Sequence, residues 1–146
     1  MTKLKPISLL IIDDNEQFLE TISAFLAEHY AKEVQILSTA KSAQEGIDLA
    51  KKLRPQVVLL DLKMPEMHGF DVIPLLRLEL PELKIITTTL LAPEVLTQAE
   101  EIYVKANIAA GSDGFIPKHL LTKDLVPTMQ KMIVEMHEMI NHNQEA

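Results

Sequence analysis

The chain has 146 residues, enough for one buried core and too few for two ordinary domains. Its 14 Lys and Arg against 21 Asp and Glu leave a net charge of −7, which favours neither a nucleic-acid backbone nor an anionic membrane as a partner of this chain alone. With 47% hydrophobic and 24% charged residues the composition is that of a folded domain, and the absence of cysteine excludes disulfides, thiolate zinc sites and cysteine nucleophiles.

The segment from Met1 to Pro6 carries no secretory signal and leads straight into Ile7-Ser8-Leu9-Leu10-Ile11-Ile12, a strand-length apolar run. Similar runs follow at Val34 to Leu37, Val57 to Leu60, Ile85 to Thr88 and Gly114 to Ile116. Uninterrupted apolar stretches such as Leu9 to Ile12 are four residues long, far short of the roughly 20 that a spanning helix needs. Consecutive apolar positions without alternation predict strands covered on both faces. Between the strands lie helical patterns: Phe18, Ile22, Phe25 and Leu26 on the first, Ala43, Ile47 and Ala50 on the second from about Ser42 to Leu53, and a third from near Phe70 to Glu79. A fourth is expected from about Glu94 to Ala110, continuous, with Leu96, Ala99, Tyr103, Ala106 and Ala110 as its apolar stripe and Val95, Ile102 and Ala109 beside it. A fifth is expected from about Lys123 to Asn141, with Thr122 as N-cap. Leu125 to Ile133 suffice to cover the sheet, which leaves Met136, Met139 and Ile140 as an apolar ridge beyond it. The order reads (βα)5, an α/β doubly wound fold with a five-stranded parallel sheet. Residues 1–146 are expected to form a single domain, with a core at about 7–140 and a polar tail at 141–146.

In such a sheet ligands bind beyond the carboxyl ends of the strands. Here those ends are polar: Asp13-Asp14 after the first strand, Asp61 after the third, Thr89 after the fourth and Lys118 after the fifth. Taken singly each residue has a plainer use. Asp13 or Asp14 would cap the following helix, Thr89 would be a β-branched strand residue, and Lys118 a solvated charge. Together they point elsewhere. Converging carboxylates repel one another and hold protons unless a cation is present, and Mg2+ suits a site with few protein ligands and room for phosphate oxygens. Lys118 adds positive charge, and the Thr89 hydroxyl is a donor for a phosphoryl group held on Asp61.

The chain resembles the receiver domains of two-component response regulators from Ile7 to about Ile140. The resemblance rests on Leu9-Leu10-Ile11-Ile12-Asp13-Asp14-Asn15, on Asp61-Leu62-Lys63-Met64-Pro65-Glu66-Met67-His68-Gly69, on Lys84-Ile85-Ile86-Thr87-Thr88-Thr89, and on Gly111 to Lys118. It implies the flavodoxin-like receiver fold, with Asp61 as phosphoacceptor. It also implies that Asp14 and Asp61 ligate Mg2+ directly, that Asp13 acts largely through water, and that the Lys63 carbonyl adds a ligand. Thr89 would be the switch hydroxyl, Lys118 the phosphate-binding amine and Phe115 the aromatic switch residue. The implied partners are a histidine kinase or phosphotransfer protein, with a homodimer or a downstream protein met through the fourth and fifth helices.

Three features depart from the family habit. Pro117 precedes Lys118 and His119 follows it, where the family places Pro after the Lys. Thr89 and Lys118 are 29 positions apart, about two helical turns beyond the common spacing. No output domain is included, as expected for a single-domain regulator or a receiver cut before its output domain. The expected location is cytoplasmic, with no nucleic acid bound by this chain alone and no membrane. The expected role is a non-enzymatic switch. The alternatives are a receiver-like binding module without phosphorylation, and a magnesium-dependent phosphohydrolase working through an aspartyl phosphate. The second is disfavoured because Lys63 stands where such enzymes carry an acidic residue, two positions after the nucleophile.

Overall fold

The computed structural model describes residues 5–65, 67–90 and 98–145. Strands β1 (Ile7–Ile12), β2 (Val34–Ala40), β3 (Val57–Asp61), β4 (Lys84–Thr88) and β5 (Gly114–Phe115) alternate with helices α1 (Glu16–His29), α2 (Ala43–Leu53), α3 (Gly69–Glu79), α4 (Gln98–Ala110) and α5 (Leu121–Glu145). The strands are parallel and lie in the order β2-β1-β3-β4-β5. This is the doubly wound α/β fold read from the sequence, and the order reverses between β1 and β3, which opens a crevice where Asp13 and Asp61 stand. Among the described residues no helix is long and apolar enough to cross a membrane.

Because both faces of the sheet are covered, successive strand residues enter two different cores. Leu9, Ile11, Val57, Leu59 and Ile86 pack with Leu19, Ile22 and Leu26 of α1 and Leu125, Val126, Met129 and Ile133 of α5. Leu10, Ile12, Val58, Leu60 and Ile85 pack with Ile47 and Ala50 of α2 and Val72, Ile73 and Leu76 of α3. Helix starts follow side-chain capping, with Asn15 accepting from Phe18 N–H and Ser42 from Glu45 N–H.

The last two helices differ from expectation. The segment Glu94 to Thr97, the proposed start of the fourth helix, lies outside the described residues. From Gln98 to Ala110 the helix is unbroken. Of its expected apolar stripe, Ala110 packs against the core, but other members do not face inward. Ile102, Ala106 and Ala109 are exposed, as are Val104 and Ile108, while Asn107 is fully buried. The sheet edge beneath α4 is itself polar there: the Thr87 hydroxyl donates to Asn107 Oδ1, and the Asn107 carbonyl accepts from Ser112 N–H at 2.9 Å. A buried polar strand position therefore selects a polar helix residue, because an unpaired buried group would be the costlier outcome.

The chain leaves α4 through Gly111, whose φ of +107° suits glycine. Its carbonyl accepts from Arg77 of α3 at 3.0 and 2.9 Å. The final helix begins at Leu121, directly after a 3-10 turn at Lys118–Leu120, so Thr122 lies inside it and is not its cap. It runs on to Glu145, so most of the segment expected as a polar tail is helical. Leu125 to Ile133 supply the core contacts as expected. Met136 is half-buried against the same core and does not join the ridge, leaving Val134, Met139 and Ile140 exposed.

Gly69 marks where the loop after Asp61 folds back on the strand. Its N–H donates to Leu62 O at 3.0 Å, and a Cβ there would lie 2.5 Å from Leu62 Cα and 2.9 Å from Asp61 O. Backbone cannot yield as a side chain does, so Gly69→Ala is expected to destabilise the fold by about 1–3 kcal/mol, read as a lower urea midpoint at unchanged slope. An unchanged midpoint would refute the close approach.

Candidate functional site

The site is assembled from strand ends. Asp13 follows β1, with its N–H donating to Ala40 O at 2.9 Å and its Oδ1 accepting from Asn15 N–H at 2.9 Å. Since Asn15 caps α1, neither Asp13 nor Asp14 is spent on capping. Asp13 is fully buried and Asp14 exposed. Asp61 closes β3, is buried, and accepts from Lys63 N–H at 3.2 Å. One carboxylate oxygen from each of Asp13, Asp14 and Asp61 lies within 4.8 Å of the others.

Burial is the main force on Asp61, followed by the charge of Asp13. The Lys63 N–H and the Lys118 ammonium offset them only in part, and the carboxyl is pushed up from 3.8 to about 6.

Lys118 enters from the opposite side of the crevice. Ile116 N–H donates to Thr87 O at 3.0 Å and Lys118 N–H to Thr89 O at 3.1 Å, carrying the β4–β5 pairing past the end of β5. This aims the lysine into the cluster: Nζ lies 2.8 Å from Asp13 Oδ2 and 3.8 Å from Asp61 Oδ2, with the side chain only 10% exposed. The plain reading of Lys118 as a solvated charge therefore fails. Thr89 sits just past β4, fully buried, and its Oγ1 has no hydrogen-bond partner among the described residues. Phe115 is half-buried in β5, in register with Thr87. The Lys63 ammonium reaches Leu90 O at 3.5 Å, linking the loops after β3 and β4.

One neighbour of the site was not among the residues singled out from the sequence. The ring of Phe18 lies under the Lys118 ammonium, 4.2 Å from Nζ to its centroid. In the sequence Phe18 reads as one more apolar position of α1, and nothing local ties it to a residue 100 positions away.

A cluster of three carboxylates, one exposed to solvent, fits a hard divalent cation that takes oxygen ligands and keeps several waters. Acidic oxygens and a basic amine gathered around the Asp61 carboxylate make a site suited to holding a phosphoryl group. The sequence matches the family described as response regulator receiver domain over residues 9–130. It is 28% identical over 130 residues to the transcriptional regulatory protein MctR of Rhizobium johnstonii, covering 89% of this chain and 56% of that protein. To the nitrate/nitrite response regulator protein NarL of Escherichia coli it is 27% identical over 131 residues, covering 90% of this chain and again 56% of the relative. The chain thus spans little more than half the length of these relatives. Among solved structures, the CheY-like receiver domain protein of Methanospirillum hungatei superposes with a TM-score of 0.72 at 25% identity, covering 92% of this chain and 98% of that one. The chain belongs to the response regulator receiver domain family, the signalling domain of two-component systems.

Proposed function

We propose that this receiver domain is a phosphorylation-controlled switch whose acceptor is Asp61, charged by a histidine kinase or phosphotransfer protein. The observation that carries the reading is the buried Asp61 carboxylate with Asp13, Asp14 and the Lys118 ammonium gathered around it. A carboxylate oxygen of Asp61 attacks phosphorus in line, the P–N bond of a phosphohistidine breaks, and its electron pair leaves with the imidazole. Mg2+ held by Asp14, Asp61 and the Lys63 carbonyl, and by Asp13 largely through water, would neutralise the carboxylates and the phosphoryl oxygens during transfer. Lys118, already beside Asp61, turns from Asp13 toward a phosphoryl oxygen. The Thr89 hydroxyl, which has no partner among the described residues, donates to another. Its inward movement vacates space for Phe115 and changes the face formed by α4, β5 and α5. Turnover on external substrates is not expected, since the Lys63 side chain reaches Leu90 O and offers no acid at the acceptor.

The test is mass spectrometry after treatment with phosphoramidate. A single hydroxylamine-labile phosphate that needs Mg2+ is expected, and failure to incorporate any would leave a binding module that works without phosphate. Thr89→Ala is expected to accept the phosphate yet to lose most of the resulting chemical-shift change at Phe115 and along α5. A full change in that variant would remove Thr89 from the relay.

Exposed Val104 and Ile108, one turn apart on α4, and Met139 and Ile140 on α5 are the apolar residues through which a second copy or a downstream protein would dock. Sedimentation is expected to show association in beryllofluoride that Met139→Glu/Ile140→Glu removes. A strictly monomeric wild type in both states would leave only a heterologous partner.

A further inference from the structure

The amine at this site is held by more than its two carboxylates. Asn15, whose N–H binds Asp13 Oδ1, caps α1 by accepting from the N–H of Phe18 at 3.0 Å. One short stretch of backbone therefore sets both the buried carboxylate and the aromatic ring in a common frame. The ring packs against the core formed by α1, α5 and one face of the sheet, and its face lies 4.2 Å from Lys118 Nζ. The ammonium is thus enclosed between Asp13 at 2.8 Å, Asp61 at 3.8 Å and the ring.

Such enclosure matters because a lysine has a flexible four-carbon stem and a strongly hydrated head. Two carboxylates on one side draw the head inward but leave its other side to water. An aromatic face there presents the negative part of its quadrupole to the cation and excludes solvent. An aliphatic residue of similar size would exclude water as well, but without attraction for the charge. In this chain no proline follows Lys118 to stiffen the backbone beyond it; the residue opens a 3-10 turn instead. More of the work of fixing the amine falls on what its head touches.

We propose that Phe18 is the positioning residue for Lys118, holding its ammonium between Asp13 and Asp61, from where it reaches the incoming phosphoryl group by a short turn. The proposal rests on the phosphoacceptor reading of Asp61. It concerns a residue that touches neither the acceptor nor the phosphoryl group in that reading and acts only through Lys118.

The experiment has two readouts. The first needs no phosphate: the ε-methylene protons of Lys118, one bond from the Nζ that lies over the ring, are expected upfield of ordinary lysine values in the wild type, to return to them in Phe18→Leu, and to stay upfield in Phe18→Tyr. The second is the rate of phosphate incorporation from phosphoramidate at saturating Mg2+. Phe18→Leu is expected to slow it about five- to tenfold, Phe18→Tyr to recover it, and Phe18→Leu to cause no further loss in the Lys118→Ala background. Ordinary shifts in the wild type would overturn the placement. An equal loss from Phe18→Leu with and without Lys118 would overturn the role, because the ring would then act through the packing of α1. An unchanged rate in Phe18→Leu overturns it likewise. If the wild type takes up no phosphate at Asp61 while the upfield shift persists, the acceptor reading has failed and the role proposed for Phe18 falls with it, although its placement stands.

Discussion

Asp61→Asn is expected to take up no phosphate from phosphoramidate at any Mg2+ concentration and, at neutral pH, to be more stable than the wild type. The first effect is chemical: an amide oxygen is a far weaker nucleophile than a carboxylate and cannot form the acyl phosphate. The second follows from the electrostatics of the acceptor. With its carboxyl pushed up to about 6, mainly by burial and then by Asp13, the folded protein holds a proton at Asp61 over a range where the unfolded chain has released it. The stability linked to this group is therefore full below about pH 4 and is lost as pH rises toward 6, by about 1–3 kcal/mol. Asn carries no charge at any pH, so the variant should escape that loss. Urea melts at pH 5 and pH 7.5 check it: the stability gain of the variant should be larger at pH 7.5. A phosphate adduct of normal yield on Asp61→Asn would sink the acceptor assignment, and a variant less stable than the wild type at both pH values would sink the electrostatic account.

Asp14→Ala is expected to weaken Mg2+ binding by at least tenfold. Asp14 is the exposed member of the cluster, the carboxylate most able to take a hydrated cation without rearranging the core, whereas Asp13 is engaged with Asn15 N–H and Lys118. In the wild type the affinity should rise with pH through about 6, since the metal must displace the proton that Asp61 retains. In Asp61→Asn that rise should flatten. Titration calorimetry at three pH values measures both, and an unchanged affinity in Asp14→Ala would place any metal elsewhere.

The alternation of strand and helix was legible because each element leaves its own period in the chain. The apolar runs at Leu9 to Ile12 and Val57 to Leu60 could serve only strands covered on both faces, and Asp13, Asp14, Asp61 and Lys118 could be placed at strand ends from that order alone. The structure brings these four side chains to one crevice, and buries Thr89 at the end of the neighbouring strand. The burial of Asn107 on α4 was not legible. Counting apolar positions assumes an apolar neighbour, and the strand beneath offers the hydroxyl of Thr87, which made Asn107 the residue that turns inward.

Element type, strand ends and the acidic cluster were thus determined by the sequence, because periodicity and local polarity are set by residues within a turn or two of one another. The burial of Lys118 and its contact with Phe18 were decided by the tertiary structure. Each depends on where the order β2-β1-β3-β4-β5 carries chain segments that lie far apart in sequence. No local pattern encodes a meeting between residues 100 positions apart; it arises only when the turn after β5, which bears one, is laid beside helix α1, which bears the other.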